Sequence, residues 1–293
     1  MSPMRFALVT SSYRGDFERC RLLCHSIDRF VTGFETHYIL VEARDLDLFR
    51  PLAGPKRRIV SERALLPWWL RPVNHPRQRG RRLWVSPFGL PLHGWHVQQL
   101  RRFSMAATMD EGAMVSLDSD VVFVRPFDVG SMEEGGRVAF YRVPDGMDEV
   151  LPHLQAEHEV WAQRAARLIG LKPPVPTRTT YIGTLIAWRR DTVRDLLDRI
   201  AAIARRPAMA ALCASRALSE CTIYGRFVDE AEERPDRHRP EALGRCAVYW
   251  DGPPLDAAGL SDFFANLGDH QVAVGLQSFT GTDPALIRRA AGL

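Results

Sequence analysis

The sequence lacks the patterns that mark the commonest nucleotide and hydrolytic enzymes. None of G-x-x-x-x-G-K-[ST], G-x-G-x-x-G, H-E-x-x-H or G-x-S-x-G occurs in its 293 residues. The first two patterns hold phosphates at a helix N-terminus, the third binds zinc, and the fourth presents a nucleophilic serine. Their absence argues against P-loop kinases, Rossmann dehydrogenases, zinc metalloproteases and serine hydrolases.

Cysteine is scarce, and long apolar runs are missing. The five cysteines form no C-x-x-C pair, and Cys20 and Cys24 are one turn apart in a helical pattern. This usage predicts reduced, mostly buried thiols rather than disulfides or a zinc site. The apolar run at residues 6–9 is too short for a signal-peptide core, and no segment reaches the length of a transmembrane helix. We therefore expect a cytoplasmic protein, with any contact to the inner membrane being peripheral.

Lysine is nearly absent, so arginine carries almost all of the positive charge. The net charge of +4 is uneven, because residues 51–103 contain eleven basic side chains and a single acid, Glu62. Such a stretch attracts phosphates, a membrane surface or nucleic acid without choosing among them, and a merely solvated face is the plain alternative. No nucleic-acid-binding motif accompanies it, which argues against a nucleic-acid partner. Periodicity fails at residues 67–94, where we predict a long basic loop with at most a short hairpin.

Elsewhere, strand patterns alternate with helical patterns. A buried strand at 5–11 is followed by a helix behind Asp16, a second strand at 37–41 and a helix at 95–109. Further strands are predicted at 114–124, 137–143, 181–188, 246–250 and 271–276, and helices at 147–169, 191–203, 208–218 and after Asp283. A composition of 46% hydrophobic and 25% charged residues is that of a globular chain. We predict one α/β domain with a mixed, largely parallel sheet flanked by helices.

Two acids interrupt the buried-strand pattern MVSLDSDVVFV. Asp118 and Asp120 are two residues apart, which places both carboxylates on one face of an extended chain. Two such charges are costly unless they share a cation or a proton. A Mn²⁺ or Mg²⁺ ion, held by these carboxylates and by phosphate oxygens, removes that cost. Capping of a turn by the two acids is the structural alternative.

A helix before the acids carries polar side chains on one stripe. Trp95, Gln98 and Arg102 are spaced i, i+3 and i+7, so a helix aligns them. An amide and a guanidinium in this position suit sugar hydroxyls and diphosphate oxygens, whereas solvent exposure is the alternative for Arg102.

The segment L-D-S-D-V-V-F-V-R-P-F-D, with the helix G-W-H-V-Q-Q-L-R-R-F before it, resembles the D-x-D region of nucleotide-sugar-dependent glycosyltransferases of the GT-A fold. In particular, it resembles a poorly characterised bacterial family of that type. The likeness extends to FALVTSSYRGDFERC, TTYIGTLIAW, SECTIYG and LQS, and so covers most of the chain. It implies a single Rossmann-like GT-A domain over 1–293, with a nucleotide-sugar-binding half at 1–130, which includes the basic loop at 67–94, and an acceptor-binding half at 131–293.

The resemblance also implies roles for individual residues. The donor, a UDP- or GDP-sugar, is expected at the carboxyl ends of the strands. The nucleoside is expected to contact Thr10, Ser11, Ser12 and Tyr13, and the sugar and diphosphate to contact Gln98 and Arg102. The metal is expected to bind Asp118 and Asp120, with His270 as a third ligand. The acceptor is expected to contact Trp95, Tyr181 and Gly183. Asp16 either holds the base or ribose or caps its own helix. Glu220 is expected to be the general base that deprotonates the acceptor hydroxyl.

These expectations describe a metal-dependent glycosyltransferase of the hexosyltransferase type. It would move a sugar to a hydroxyl of a cell-surface glycan or lipid precursor, and an anionic acceptor would suit the basic loop. Two alternatives stay open. Asp118-Ser119-Asp120 also resembles the nucleophile motif of haloacid-dehalogenase phosphatases, in which Asp118 attacks phosphorus, Asp120 is the acid/base and Lys172 neutralises charge. The other alternative is a non-catalytic module that binds anions or a membrane surface.

Overall fold

The computed structural model describes residues 4–172 and 176–293. Residues 173–175, part of the proline-rich connection expected at 172–176, lie outside the described residues. The strands are β1 Phe6–Ser11, β2 Val31–Thr32, β3 Thr36–Val41, β4 Arg57–Ser61, β5 Arg71–Asn74, β6 Arg82–Ser86, β7 Gly89–His93, β8 Ala113–Asp118, β9 Val121–Phe123, β10 Phe127–Asp128, β11 Glu133–Glu134, β12 Arg137–Tyr141, β13 Leu185–Arg189, β14 His238–Glu241, β15 Cys246–Tyr249 and β16 Ala273–Leu276. The helices are α1 Phe17–Phe30, α2 Leu46–Phe49, α3 Glu62–Leu65, α4 Gly94–Thr108, α5 Pro152–Leu168, α6 Arg190–Ala204, α7 Ala208–Leu212, α8 Glu220–Glu230, α9 Ala257–Ala265 and α10 Pro284–Ala290.

The central sheet has the strand order β13-β8-β1-β3-β4. Strands β8, β1, β3 and β4 are parallel, and β13 runs antiparallel to β8. Parallel strands are covered on both faces, which is why β1 and β8 are near-continuous apolar runs. From β1 the chain goes to β3 and β4 on one side and returns to β8 on the other, so the strand order reverses between β1 and β8. Open α/β sheets bind ligands at the carboxyl ends of the strands beside such a reversal.

The two faces of the sheet bury separate apolar clusters. Successive side chains of a strand alternate between faces, so Ala7 and Val9 join one cluster while Phe6 and Leu8 join the other. Helices α4, α6 and α8 pack on the first face, and α1 packs on the second. The chain is therefore one α/β domain with a mixed, largely parallel central sheet and flanking helices, as the alternating patterns predicted.

A smaller sheet of order β15-β16-β9 brings the end of the chain to the predicted acids. Strand β16 is antiparallel to β9, which begins directly after Asp120. At the end of this ladder, the N–H of Leu276 donates to the carbonyl of Asp120 at 3.1 Å. The strand predicted at 114–124 is thus two strands, β8 and β9, separated by a turn that contains the second acid.

The segment predicted as a long loop is a small sheet. Strands β5, β6 and β7 form an antiparallel meander, with Trp84 and Leu92 buried in the cluster beside α4. The prediction of a loop at 67–94 was wrong, because its strands are four or five residues long and contain proline and glycine. Strands this short, broken by Pro72, Pro91 and Gly89, do not give a readable two-residue period.

All five cysteines are free thiols, and Cys246 alone is not fully buried. Among the residues described here, no helix has both the length and the apolar character that crossing a membrane requires.

Candidate active site at the carboxyl ends of the central strands

The two acids of the D-S-D segment sit where the strand order reverses. Asp118 is the last residue of β8, opposite Ser11 at the end of β1, and its side chain is 32% exposed. Asp120 lies in the following turn and is 8% exposed. Its Oδ2 accepts the N–H of Ser278 at 3.0 Å, whereas its buried Oδ1 has no hydrogen-bond partner among the described residues. A buried carboxylate oxygen without a partner is rare and costly.

The electrostatics of Asp120 reflect that cost. Burial raises the pKa of its carboxyl to about 7, and the charges of Asp118 and Asp16 add to the rise, whereas the N–H of Ser278 opposes it. The ionised pair is therefore unfavourable in the protein alone. A proton on Asp120, or a cation next to Oδ1, removes this electrostatic cost.

A third carboxylate, that of Asp16, faces the same place. Asp16 precedes α1, but its side chain makes no capping hydrogen bond to that helix. Instead, Oδ2 accepts the hydroxyl of Ser119 at 3.4 Å. Burial raises the pKa of Asp16, and the charge of Arg19 opposes the rise. Of the two roles considered for Asp16, the helix cap is therefore excluded, and the carboxylate belongs to the acid cluster.

Arg102 connects the acids to α8. It donates from Nη1 to Oε1 of Glu220 at 2.5 Å and from Nη2 to Oδ1 of Asp118. The guanidinium is buried, which by itself would lower its pKa, but the charges of Asp118 and Glu220 outweigh burial and raise the pKa above its ordinary value. The alternative of solvent exposure is therefore wrong. Each terminal nitrogen donates to one carboxylate and keeps a second N–H, so the predicted contact to diphosphate stays a prediction.

Glu220 lies on the far side of Arg102 from the acids. It is the first residue of α8, whose N-cap is Ser219, and its own N–H donates to Oε1 of Gln99 at 3.0 Å. The side chain is 5% exposed; burial raises its pKa and Arg102 opposes the rise. A general base must face the acceptor hydroxyl. The structure shows the carboxylate of Glu220 paired with Arg102, and its role as base stays a prediction.

Two residues that the sequence analysis did not single out hold Asp120 in place. Arg19 on α1 donates to the carbonyls of Leu276 and Thr282 at 3.2 and 2.7 Å, and so ties the end of the chain to α1. That segment carries Ser278, whose N–H binds Asp120. The only sequence signal for Ser278 was its membership of the L-Q-S match, because a backbone donor leaves no pattern of residue types.

The residues predicted to bind the nucleoside are mostly inside the protein. Thr10 is fully buried, and its hydroxyl pairs with Nε2 of His37 at 3.0 Å. Ser11 and Ser12 lie at the strand end but are also buried. Tyr13 is exposed. The prediction is thus corrected for Thr10, since a strand residue one place before the end still points into the core.

The stripe on α4 leads from the surface into the site. Trp95 is exposed at the start of the helix and packs against Trp161 of α5 with ring centroids 5.4 Å apart. Gln98 is half-buried, and its carbonyl accepts the hydroxyl of Ser11 at 3.4 Å. Arg102 follows at the acids, roughly 10 Å along the helix from Trp95. Of the stripe, only Arg102 contacts the acid pair.

Tyr181 and His270 are not brought to the acids. The hydroxyl of Tyr181 donates to Oδ2 of Asp229 at 2.8 Å, and its ring is buried against Phe140, so a role in acceptor binding is not supported. His270 is exposed and precedes β16 at the end of the ladder opposite Asp120. It is therefore no third ligand. Within residues 4–172 and 176–293, no group of three or more His, Cys, Asp and Glu side chains is arranged to hold a metal ion.

A cavity of about 360 Å³ lies between β13 and β15, and none of the three acids lines it. Its lining includes Gly183, Thr184, Cys246, Trp250, Asn266 and Gln271. Burial raises the pKa of the Cys246 thiol to about 12, and the charges of Asp120 and Asp118 add to the rise. The side of the cavity that contains Cys246 is therefore close enough to feel the charges of the acids. Of the residues predicted to bind the acceptor, Gly183 is the one that lines this cavity. Apolar side chains such as Ile182, Val248 and Phe263 make up most of the remaining lining, together with Arg245.

The fold and this site define an α/β protein with paired acids at a strand-order reversal and a cavity between β13 and β15. The chain belongs to a family of unknown function (DUF6492), whose model matches residues 4–290. A comparison with curated proteins finds no match.

Proposed function

We propose that the chain is a metal-dependent glycosyltransferase of GT-A type. It would transfer a sugar from a UDP- or GDP-sugar to a hydroxyl of a glycan or lipid precursor. The observation that carries this proposal is the unpartnered, nine-tenths-buried Oδ1 of Asp120 beside the accessible carboxylate of Asp118. The position of this pair at the strand-order reversal supports it, because α/β sheets bind nucleotides there.

The side chains present fit a divalent cation that shares its ligands with a substrate. Asp118 and Asp120 supply two hard oxygen donors. Asp16 lies near them, but the described part of the chain has no group of three such side chains arranged to hold one ion. Mg²⁺ and Mn²⁺ are commonly held in this way, by one or two carboxylates with phosphate oxygens and water completing the shell. When bound, the cation would supply the positive charge that a departing diphosphate requires.

The protein's own groups have separable tasks in this proposal. Arg102 donates a hydrogen bond to the carboxylate of Asp118, while the N–H of Ser278 holds Oδ2 of Asp120 and leaves Oδ1 for the cation. Tyr13 offers an exposed aromatic ring at the end of β1 for a nucleoside. The cavity beside Gly183 and Cys246 would receive the acceptor. Binding of both substrates on either side of the acids is what in-line transfer requires.

The test is calorimetric titration of the full chain with UDP and with GDP, each with and without Mn²⁺. We expect one nucleotide to bind only with the metal, and Asp120→Asn to abolish that binding. Asp198→Asn is the matched control, since Asp198 is an exposed aspartate on α6. It should bind as the unmodified protein does. If neither nucleotide binds under any condition, the proposal is wrong.

The same protein samples also test the phosphatase alternative. That chemistry needs a cation next to Asp118 as nucleophile, and the group found there is Arg102, whereas Lys172 is exposed after α5. Hydrolysis of a phosphate monoester that Asp118→Asn abolishes, without metal-dependent nucleotide binding, would replace the transferase proposal by the phosphatase one.

A further inference from the structure

The three-stranded meander carries a charge pattern that the proposed site does not use. Residues 67–94 contain no acid and five arginines, namely Arg71, Arg77, Arg79, Arg81 and Arg82. Arg82 is near Glu42, at 3.6 Å. Three others, Arg77, Arg79 and Arg81, are exposed in the turn between β5 and β6 and make no ion pair with any residue the structure describes. A cluster of unpaired guanidinium groups repels itself unless an anion joins it.

The outer face of the same meander carries apolar side chains next to Arg71 and His93. Trp84 and Leu92 point inward, so Leu83 and Val85, their neighbours on β6, point outward, as does Val73, which pairs with Leu83. An antiparallel sheet with a solvated face normally carries polar side chains there. This face therefore combines apolar side chains with basic ones.

The most exposed large apolar side chains of the meander border that face. Trp68 is 80% exposed and Leu90 is 67% exposed. The guanidinium of Arg71 stacks over the ring of Trp68, 5.8 Å from its centroid. Tryptophan and arginine together are typical of groups that sit at the boundary between lipid headgroups and acyl chains.

The basic turn stands next to the candidate active site. Arg44, which pairs with Glu42 after the end of β3, also donates to the carbonyl of Gly80 at 3.1 Å, so the turn rests on the carboxyl ends of the strands. Burial raises the pKa of Tyr13, and Arg81 is close enough to oppose that rise. A surface that docks here therefore lies beside the site.

We propose that the meander, residues 67–94, is a docking surface for the anionic headgroups of a phospholipid bilayer. The arginines of the turn would bind the phosphates, while Trp68, Leu90 and the outer face of the sheet enter the interface. A second copy of the chain is disfavoured, because a symmetric contact would bring two sets of arginines together. An anionic polymer would satisfy the arginines but leave the apolar groups in water, so a bilayer accounts for more of the surface.

The experiment is co-sedimentation of the full chain with phosphatidylcholine vesicles that contain about 30 per cent phosphatidylglycerol. Vesicles of phosphatidylcholine alone are the comparison. We expect binding to the anionic vesicles only, weakened by salt. The triple variant Arg77→Ala, Arg79→Ala, Arg81→Ala should lower the partition coefficient on the order of a hundredfold. Trp68→Ala should remove the part of the binding that persists at high salt.

The matched control removes three exposed arginines elsewhere, in Arg58→Ala, Arg206→Ala, Arg289→Ala. It loses the same charge and should bind within about threefold of the unmodified protein if position rather than net charge decides. Equal loss in both triple variants, or binding to heparin that is stronger than binding to vesicles and insensitive to Trp68→Ala, would overturn the proposal. No nucleotide is present, so this outcome is independent of whether the protein is a transferase.

Discussion

The arginines of one short stretch of chain have opposite situations in the folded protein. Arg102 is buried with a carboxylate on each terminal nitrogen, whereas Arg77, Arg79 and Arg81 are exposed without an ion pair among the described residues. In the sequence they belong to the same basic stretch. The structure distinguishes an arginine that is paired inside the fold from arginines that remain available to a ligand. Net charge alone therefore does not locate a binding site.

The largest effect on stability is expected when the buried arginine, Arg102, is replaced. Arg102→Met removes the counter-charge of Glu220 and Asp118. Removing one partner of a buried ion pair leaves a charge that is neither solvated nor paired, and typically costs about 3–5 kcal/mol. We expect the free energy of unfolding, measured in urea at pH 7.5, to fall by about that amount.

The double variant Arg102→Met, Glu220→Gln is the control. It removes the stranded charge as well, so it should be more stable than Arg102→Met alone by about 1–3 kcal/mol. If the double variant is no better than the single one, burial of Glu220 is not the source of the cost.

The next largest effect has the opposite sign. The pKa of the Asp120 carboxyl is raised from an ordinary value of 3.8 to about 7 in the folded protein. Between these two values the unfolded chain has lost the proton while the folded chain retains it, so stability falls as pH rises from about 4 to 7. Asp120→Asn removes this penalty and should stabilise the metal-free protein at pH 8 by roughly 2–4 kcal/mol, with little gain near pH 4.

Urea unfolding at pH 4.5 and pH 8 with a chelator measures this difference. Mn²⁺ added at pH 8 should stabilise the unmodified protein and not Asp120→Asn, because only the former presents two carboxylates. A gain that is equal at both pH values would show that ionisation of Asp120 is not its cause.

Most of the central fold could be predicted because its signals are local. A buried parallel strand is an apolar run, and helices such as α1 and α6 repeat their apolar residues at helical spacing. The meander escaped prediction because its strands are short and contain proline and glycine, and because β6 has apolar side chains on both faces. With apolar residues on both sides of β6, namely Leu83, Trp84 and Val85, the alternation that reveals a half-buried strand disappears.

For the site, the sequence located the acids but not their partners. Asp118 and Asp120 are visible because charge interrupts an apolar run. The environment of Asp120 depends on Ser278, 158 positions away, through a backbone N–H that any residue type provides. Glu220 was recognised as significant, yet its role could not be read, since its partner Arg102 is 118 positions away.

A smaller loss of stability is expected at Tyr181, which the sequence placed at the surface of the site and the structure places in the core. Tyr181→Phe keeps the ring against Phe140 and removes the hydrogen bond to Asp229, which still pairs with Arg142 at 3.1 Å. The expected decrease in unfolding free energy is about 1 kcal/mol. Tyr13→Phe, at an exposed phenol, is the control and should change stability by less than about 0.5 kcal/mol. The reverse order of the two variants would contradict this placement.

The smallest effect on stability is expected when the exposed arginines of the turn are replaced. A small effect would show that the fold does not depend on them. The triple variant Arg77→Ala, Arg79→Ala, Arg81→Ala removes three charges, as many as any variant considered for this protein, but none of them contributes an ion pair to the described fold. Their mutual repulsion is relieved at the same time. The unfolding free energy in urea should therefore stay within about 0.5 kcal/mol of the unmodified value, or rise slightly at low salt. A loss above about 1 kcal/mol would mean that these arginines support the fold, and the distinction drawn from Arg102 would no longer hold.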